Sequence, residues 1–501
     1  MKRRAYISVY DKAGLLDFAK NLVEKFDYEI VASDDTYHFL KDSDIEVINV
    51  SDFSNLTGIL TKGFEGFNET VLAGILANSN DTEELNELER LAIKPFDMVV
   101  VNICPFEKIV LENNNTDEII DKIDITGIAL MRAGAKNYKN VTVITEKIDY
   151  YVALNSNEFG RQKLALKAFN LASNYDRHIC SLLTEQTGEK PFKSFNFEKI
   201  KDLPYGENPH QKAAIYKNDR MINYEVINDK ELTFNNILNI TEAVNIVSEF
   251  YDVNCAAIVR HNKPCAVALG RSLYDAYTKA FDCDPVSSFY GIAGFSKPVD
   301  AEVAKHLNSM AVEVVVAPDF DEDAKELFND NPDIKLVKLN TSLKEYRRLN
   351  VEQVILTPFW TLVQNNNNSE LEKDKFKVVT REKPTAEQIE DAIFAWKVVK
   401  HAKTSAVVIA RDFKTTAIAQ GKTNSLAAVE NALDYACDNS KEAVLASDSL
   451  LPSEDCIYAA VQARISLIIQ PGGSVKDQRL IDLCDKYGIA MITTGIRNYR
   501  Q

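Results

Sequence analysis

In the stretch AYISVYDKAGLLDFAKNL (residues 5–22), an apolar run from Ala5 to Val9 gives way to Asp11, Lys12 and Gly14. Leu15, Phe18, Ala19 and Leu22 then recur at helical spacing. That is a strand, a turn and a helix. The same alternation continues: Glu29 to Ala32 and Glu46 to Val50 read as strands, Glu83 to Leu91 as a helix, Phe96 to Ile103 as a fully buried strand and Val141 to Thr145 as another. Strands alternating with helices predict an α/β fold with a parallel sheet for this part of the chain. The asparagines at 113–115 mark a surface loop.

The whole chain has 501 residues, which at about 100–200 residues per domain gives several domains with cores of their own. Its 46% hydrophobic and 26% charged residues are those of a globular protein and exclude a disulfide scaffold or extensive disorder. With 58 basic against 74 acidic residues the net charge is -16, so nucleic acid and anionic membrane are not expected partners. A site for a phosphorylated metabolite must then be built locally against the mean field. The 8 cysteines include no C-x-x-C pair and read as scattered reduced thiols, and no metal-ligand spacing appears, so no metal is expected. No apolar run approaches the ~20 residues of a membrane helix. The opening MKRRAYISVYDK has no apolar segment of a secretory signal, which makes the cytoplasm the expected compartment.

Periodicity weakens between Phe192 and Asn208, where Pro191, Pro204, Gly206 and Pro209 crowd together. A boundary near residue 198 divides the chain into 1–198 and 199–501. Beyond it, Thr241 to Phe250 and Asp275 to Ala280 read as helices, and Ala256 to Val259 and Val312 to Ala317 as strands. Asn365 to Asn368, followed by the polar run Ser369 to Lys375, reads as a surface loop separating subdomains of about 199–365 and 366–501. An internal match supports two related subdomains: Val259-Arg260-His261-Asn262-Lys263 and Val399-Lys400-His401-Ala402-Lys403 share a basic residue, His and Lys, each followed by Ala-Val at the same distance.

His261 lies between Arg260 and Lys263 at a strand end. Fixed positive charge there favours a neutral imidazole, which can accept a proton from an amine while the cation stabilises charge developing on oxygen. A structural turn histidine is the alternative. Cys265 has no activating partner in the sequence and reads as a structural thiol. Gln470-Pro471-Gly472-Gly473-Ser474 follows an apolar run, and its consecutive backbone N–H groups form either an anion or carboxamide cradle or a plain strand-to-helix turn. Gly421-Lys422-Thr423 is not a phosphate loop, because position 416 is Thr where that motif needs Gly. Tyr205-Gly206-Glu207-Asn208-Pro209-His210-Gln211 gathers more polar and aromatic groups than a plain linker needs.

In chain order, SVYDKAG (8–14), VVVNICPF (99–106), RAGAKN (132–137), YGENPHQ (205–211), ELTFNN (231–236), DPVSSF (284–289), FAWKVVKHAK (394–403), ASD (446–448), QPGGSVKD (470–477) and TTGIR (493–497) closely resemble the bifunctional AICAR formyltransferase/IMP cyclohydrolase family of purine biosynthesis. The resemblance spans nearly the whole chain. It implies a methylglyoxal-synthase-like N-terminal cyclohydrolase domain, a formyltransferase of two cytidine-deaminase-like subdomains without zinc, and a homodimer sharing the transferase sites. It also implies two small-molecule substrates, AICAR and the co-substrate 10-formyltetrahydrofolate, with FAICAR closed to IMP in the other domain. Carried onto this chain, the catalytic pair becomes His261 and Arg260. The implied substrate contacts are Tyr205, Gly206, Asn208, His210, Gln211, Asn235, Asn236, Asp284, Ser287, Lys400, Ser405, Asp448, Gln470, Gly472, Gly473 and Arg497. The implied cyclohydrolase residues are Ser8, Lys12, Asp124, Lys136 and Asn137.

The departures from the family pattern are specific. Arg260 replaces a Lys beside the base and cannot titrate as an ammonium does. Tyr290 replaces a glycine where ligand approaches backbone. Pro204 and Ser425 replace arginines, Ser405 an asparagine and Gln501 a histidine. In the N-terminal part Ala32-Ser33-Asp34-Asp35-Thr36 replaces S-T-G-G-T, putting two carboxylates where a phosphate should bind. Lys62 to Glu69, with Glu65, replaces a Lys- and His-bearing stretch, and Cys104 replaces Tyr. The expectation is a formyltransferase with a weak or inactive cyclohydrolase; the alternative is a non-catalytic or substrate-shifted paralogue that keeps the fold.

Overall fold

The computed structural model describes residues 2–53, 67–113, 115–188, 193, 195, 197–217, 222–349, 351–371 and 376–501. The readings made for Lys62 to Glu65, Asn114, Pro191, Phe192 and residues 372–375 lie outside these. The described residues form two units, Met1–Asn196 and Phe197–Gln501.

In the first unit, β1 (Arg3–Val9), β2 (Tyr28–Ala32), β3 (Ile48–Asn49), β4 (Met98–Asn102) and β5 (Thr142–Ile144) make a five-stranded sheet in the order β3-β2-β1-β4-β5. All its pairings are parallel. Ala5, Ile7, Val99 and Val101 are fully buried, as a sheet covered on both faces requires. The helix Leu15–Phe26 lays Leu15, Phe18, Ala19 and Leu22 against it. The strand expected over Glu46 to Val50 shrinks to Ile48–Asn49 and passes into a 3-10 turn, Val50–Phe53. The Asn49 side chain accepts the Ser51 N–H at 2.9 Å, a local bond that competes with the ladder. Strand order reverses between β1 and its neighbours, so the carboxyl ends of β1 and β4 border a crevice of the kind in which open α/β sheets place ligands.

The second unit opens with an antiparallel pair, β6 (Glu198–Leu203) and β7 (Ala213–Lys217). A 12-stranded sheet then runs through both halves. The first half contributes β8 (Tyr224–Val226), β9 (Cys255–Arg260), β10 (Lys263–Leu269), β11 (Ile292–Phe295), β12 (Val314–Ala317) and β13 (Lys335–Leu339). A separate hairpin, β14 (Glu352–Leu356) and β15 (Thr361–Asn365), follows. The second half contributes β16 (Lys377–Val378), β17 (Val407–Arg411), β18 (Lys414–Ala419), β19 (Val444–Ser447), β20 (Leu467–Gln470) and β21 (Ala490–Thr493). From the centre outward the orders are β10-β9-β11-β12-β13-β8 and β18-β17-β19-β20-β21-β16, so the halves share one topology and meet where β10 pairs with β18.

This topology corrects the register of the internal match. Val399-Lys400-His401 ends the helix Ala386–Val399 and does not follow a strand. The true counterpart of Arg260-His261-Asn262-Lys263, the turn between β9 and β10, is Arg411-Asp412-Phe413-Lys414, the turn between β17 and β18. On one face of the sheet, the helices Phe234–Ser248 and Ala386–Val399 share a core through Val244, Val247, Ala395 and Val399. On the other face each half has its own core. The hairpin β14–β15 reaches into the segment read as a loop from Asn365, and among the described residues its strands pair only with each other. No described helix is long and apolar enough to cross a membrane.

Candidate active site

Strand directions decide what the second unit can bring together. β9 runs toward His261, and β10 returns antiparallel. β18 is antiparallel to β10, β17 to β18 and β19 to β17, while β20 and β21 run parallel to β19. The end of β9, the start of β11, the start of β17 and the ends of β19, β20 and β21 therefore share one edge of the sheet. His261, Ser287, Ser405, Asp448, Gln470, Gly472, Gly473 and Arg497 all come to that edge. Gln420 ties its two halves: its side chain donates to the Pro264 carbonyl at 2.8 Å and accepts the Lys403 N–H at 3.4 Å.

Arg260 pairs with Lys263 across the hairpin, leaving His261 and Asn262 as a two-residue turn with φ of 55° and 56°. Both central residues of such a turn need positive φ to match the twist of the strands. The imidazole is exposed. The Asn262 N–H is held by the Asn239 side chain at 2.5 Å. Cys265 lies behind the turn, its sulfur 4.0 Å from the Ser287 carbonyl, and burial pushes its thiol up to about 12, against a nucleophilic role. Asp284 caps the short helix Pro285–Ser288 by accepting the Ser287 N–H at 2.9 Å. Because Ile292 pairs with Val259, Tyr290 stands one strand over at the level of His261. It adopts φ 55°, and its ring, 61% exposed, meets Phe289 edge-on.

The YGENPHQ segment joins β6 to β7. The Gln211 side chain accepts from the backbone and side chain of Asn208 at 2.8 and 3.0 Å, and Gly206 donates to the Gln211 carbonyl at 2.9 Å. Beside it opens a cavity of ≈ 450 Å³ whose lining includes Pro204, His210 and Gln211. Tyr205 is half-buried. Asn235 donates to the Glu207 carbonyl at 3.2 Å, fastening the segment to the helix Phe234–Ser248.

Other sequence-derived residues spend their polar atoms on the protein itself. Asn236 is buried, caps its helix with Thr233 and bonds Glu313 and Lys335. Gln470 accepts from Leu451 at 2.9 Å inside the core. The cradle at Gly472-Gly473-Ser474 is already filled: the Gly473 and Ser474 N–H groups both donate to Asp477, at 2.6 and 3.1 Å. Lys400, 7% exposed, is ion-paired with Glu249 and donates to the Ser369 carbonyl at 3.2 Å. Burial lowers the Lys400 ammonium; burial alone would raise Glu249, but His401, Lys400 and Arg347 hold that carboxyl well below its usual range.

Asp448 is fully buried; one carboxylate oxygen accepts the Ala406 N–H at 3.0 Å while the other has no partner, and burial raises the carboxyl. Ser405 exchanges backbone bonds with Lys422. Arg497 is exposed over the Tyr499 ring. The tail beyond it is clamped: Arg500 forks onto buried Glu242 at 2.5 Å and also donates to the His401 carbonyl. Glu242, Arg500 and Asn239 carry no motif signal; Asp477 closes the QPGGSVKD stretch, but the stretch alone does not show that its side chain fills the cradle.

In the first unit, the Asn102 side chain at the end of β4 accepts the Tyr10 and Asp11 N–H groups at 2.7 and 2.9 Å, shaping the turn after β1. Ser8 is half-buried on β1, and the Lys12 ammonium turns back to the Val9 carbonyl at 3.3 Å. Ser33 begins the helix Asp34–Lys41, whose first turn exposes Asp34 and Asp35. Asp124 accepts the Gly127 N–H at 2.7 Å, and burial raises its carboxyl. Lys136 is exposed, whereas Asn137 donates to the Ile75 and Ala77 carbonyls, both at 2.8 Å. Cys104 is half-buried after β4.

Comparison with known proteins matches residues 134–435 to the AICARFT/IMPCHase bienzyme and residues 14–129 to the MGS-like domain. The chain belongs to the AICARFT/IMPCHase bienzyme family. Relatives named bifunctional purine biosynthesis protein PurH are 42% identical in Caldicellulosiruptor saccharolyticus, 40% in Acetivibrio thermocellus and 41% in Clostridium botulinum, each over 100% of both chains. The crystal structure of ForH covers 36% of this chain at 25% identity with a TM-score of 0.33, a superposition too loose to argue from. The MGS-like match falls on the parallel-sheet unit, and the other runs from the last helices of that unit into the second half of the 12-stranded sheet.

Proposed function

We propose that the second unit transfers a formyl group from 10-formyltetrahydrofolate to AICAR, and that the first unit is a weak or inactive cyclohydrolase for the product. The observation that carries the reading is the His261 turn: an exposed imidazole beside Arg260, on the edge to which strand direction brings Ser405, Asp448 and Arg497. As the 5-amino group of AICAR attacks the formyl carbon, His261 takes its proton. Arg260 stabilises the charge building on the formyl oxygen. The tetrahedral intermediate collapses with cleavage of the bond to folate N10, which receives a proton and leaves as tetrahydrofolate. Arg497 is a cation on that edge able to meet the nucleotide phosphate, with Pro204 standing where an arginine is expected.

The cyclohydrolase reading rests on Asp34 and Asp35 in the first turn of their helix, where an anion would otherwise meet free N–H groups. A homodimer suits the hairpin β14–β15, which exposes Leu356, Phe359 and Trp360 by 79%, 83% and 74%; an isolated two-stranded hairpin is marginal in water, so apolar cover is expected. A reducing cytoplasm suits eight cysteines that are all free.

His261→Ala should lower the rate of FAICAR formation by about 10²–10⁴-fold, while Cys265→Ala keeps most of it. Equal losses in the two variants, measured from initial rates, would mean that the base is misassigned.

A further inference from the structure

We propose that Asn239 is a positioning residue for His261; this rests on His261 being the base. The two halves of the sheet carry the same tight turn, with φ of 55° and 56° at His261-Asn262 and 54° and 56° at Asp412-Phe413. A side chain of the preceding helix reaches each turn. The helices are in register through their capping boxes, Thr233 with Asn236 and Thr385 with Gln388, and Asn239 and Asp391 lie equally far beyond those caps. Asp391 uses two oxygens, accepting the Asp412 N–H at 2.9 Å and the Phe413 N–H at 2.8 Å. Asn239 has one acceptor oxygen, which takes the Asn262 N–H at 2.5 Å.

An L-residue at positive φ is strained, and the turn keeps that shape only where its surroundings hold it. In the second half a carboxylate does so with two bonds. In the first half Asn239 does so with one, on the turn that carries the imidazole. Release of that bond lets the backbone at 261–262 relax and carries the imidazole away from the amine it must deprotonate. The Asp412 turn lies on the opposite edge of the sheet, because β17 runs antiparallel to the direction that brings β9 to His261, so Asp391 serves as an internal control.

The test uses the full chain and initial rates of FAICAR formation. Asn239→Ala is expected to lower kcat by about tenfold to a hundredfold with KM for both substrates little changed, the scale on which a small misplacement acts. Asn239→Asp, which recreates the grip seen at Asp391, is expected to restore kcat to the parent level. Asp391→Ala is expected to lower Tm and leave kcat in place. Where the alanine variant does not fold, Asn239→Ser carries the same expectation. Full kcat in Asn239→Ala, or no rescue by Asn239→Asp, overturns the proposal while His261→Ala stays inactive. An active His261→Ala overturns the reading of the site, and this inference with it.

Discussion

On the proposed reading, the crevice beside β1 and the His261 edge of the 12-stranded sheet meet the same difficulty, holding an anion in a chain of net charge -16, and they differ in how they are built. At the first, the charged groups are exposed: Asp34 and Asp35 stand at a helix start, where Asp34 accepts from the Asn49 side chain at 2.9 Å and lies 3.7 Å from a similarly exposed His38. At the second, the charges that shape the edge are buried and paired, Glu242 with Arg500 and Glu249 with Lys400 and Arg347. Exposed charges act on ligands and hardly on folding, whereas buried pairs hold the framework. On the proposed reading, the departures from the family pattern gather where phosphate would be bound, and the histidine assigned as the base stays in place.

That contrast can be broken in three ways. The largest effect is expected from Glu242→Ala, which removes the buried carboxylate and leaves the half-buried Arg500 guanidinium to the His401 carbonyl. It should cost about 3–5 kcal/mol, read as a fall in Tm, and should loosen the tail that presents Arg497, raising KM for AICAR. A Tm equal to that of the parent would show that the clamp holds nothing.

Next, Asp34→Gly combined with Asp35→Gly should cost about 1–2 kcal/mol in stability, because glycine weakens the first turn of their helix and the favourable N-terminal acids are lost. It should tighten IMP binding by about tenfold in low salt, the effect shrinking as salt is added. Isothermal titration with IMP reads the affinity. Unchanged binding would free the two carboxylates of blame for a weak cyclohydrolase.

The smallest effect concerns Asp448. Burial raises its carboxyl, so the folded chain holds that proton more tightly than the unfolded chain does. The favourable contribution is therefore present below the unfolded value of about 3.9 and lost as pH rises through the folded one. Asp448→Asn should raise Tm by about 2 °C near neutral pH, a gain that fades toward pH 4. A gain independent of pH would show that the carboxyl is not the cause.

Much of this was legible in the sequence. The apolar runs at Phe96 to Ile103 and Ala256 to Val259 lie on β4 and β9, because a strand buried on both faces leaves few alternatives. The duplication was legible while its register was not. The match through His401 followed residue identity, whereas Arg411-Asp412-Phe413-Lys414 keeps the turn geometry and has lost the histidine. The hairpin β14–β15 was missed because neither strand alternates against a core within its own chain. The filled cradle at Gly473 and the clamp on Arg500 depend on side chains whose partners only the fold supplies: Asp477 and Glu242 look like ordinary helical acids until the backbone turns toward them.

The most direct test of a proton-moving edge joined to an anion-repelling crevice is chromatography of the products formed by the purified full-length protein from AICAR and 10-formyltetrahydrofolate. FAICAR accumulating without IMP beyond its spontaneous closure is the predicted result. IMP formed as fast as FAICAR, or no FAICAR at all, would contradict it.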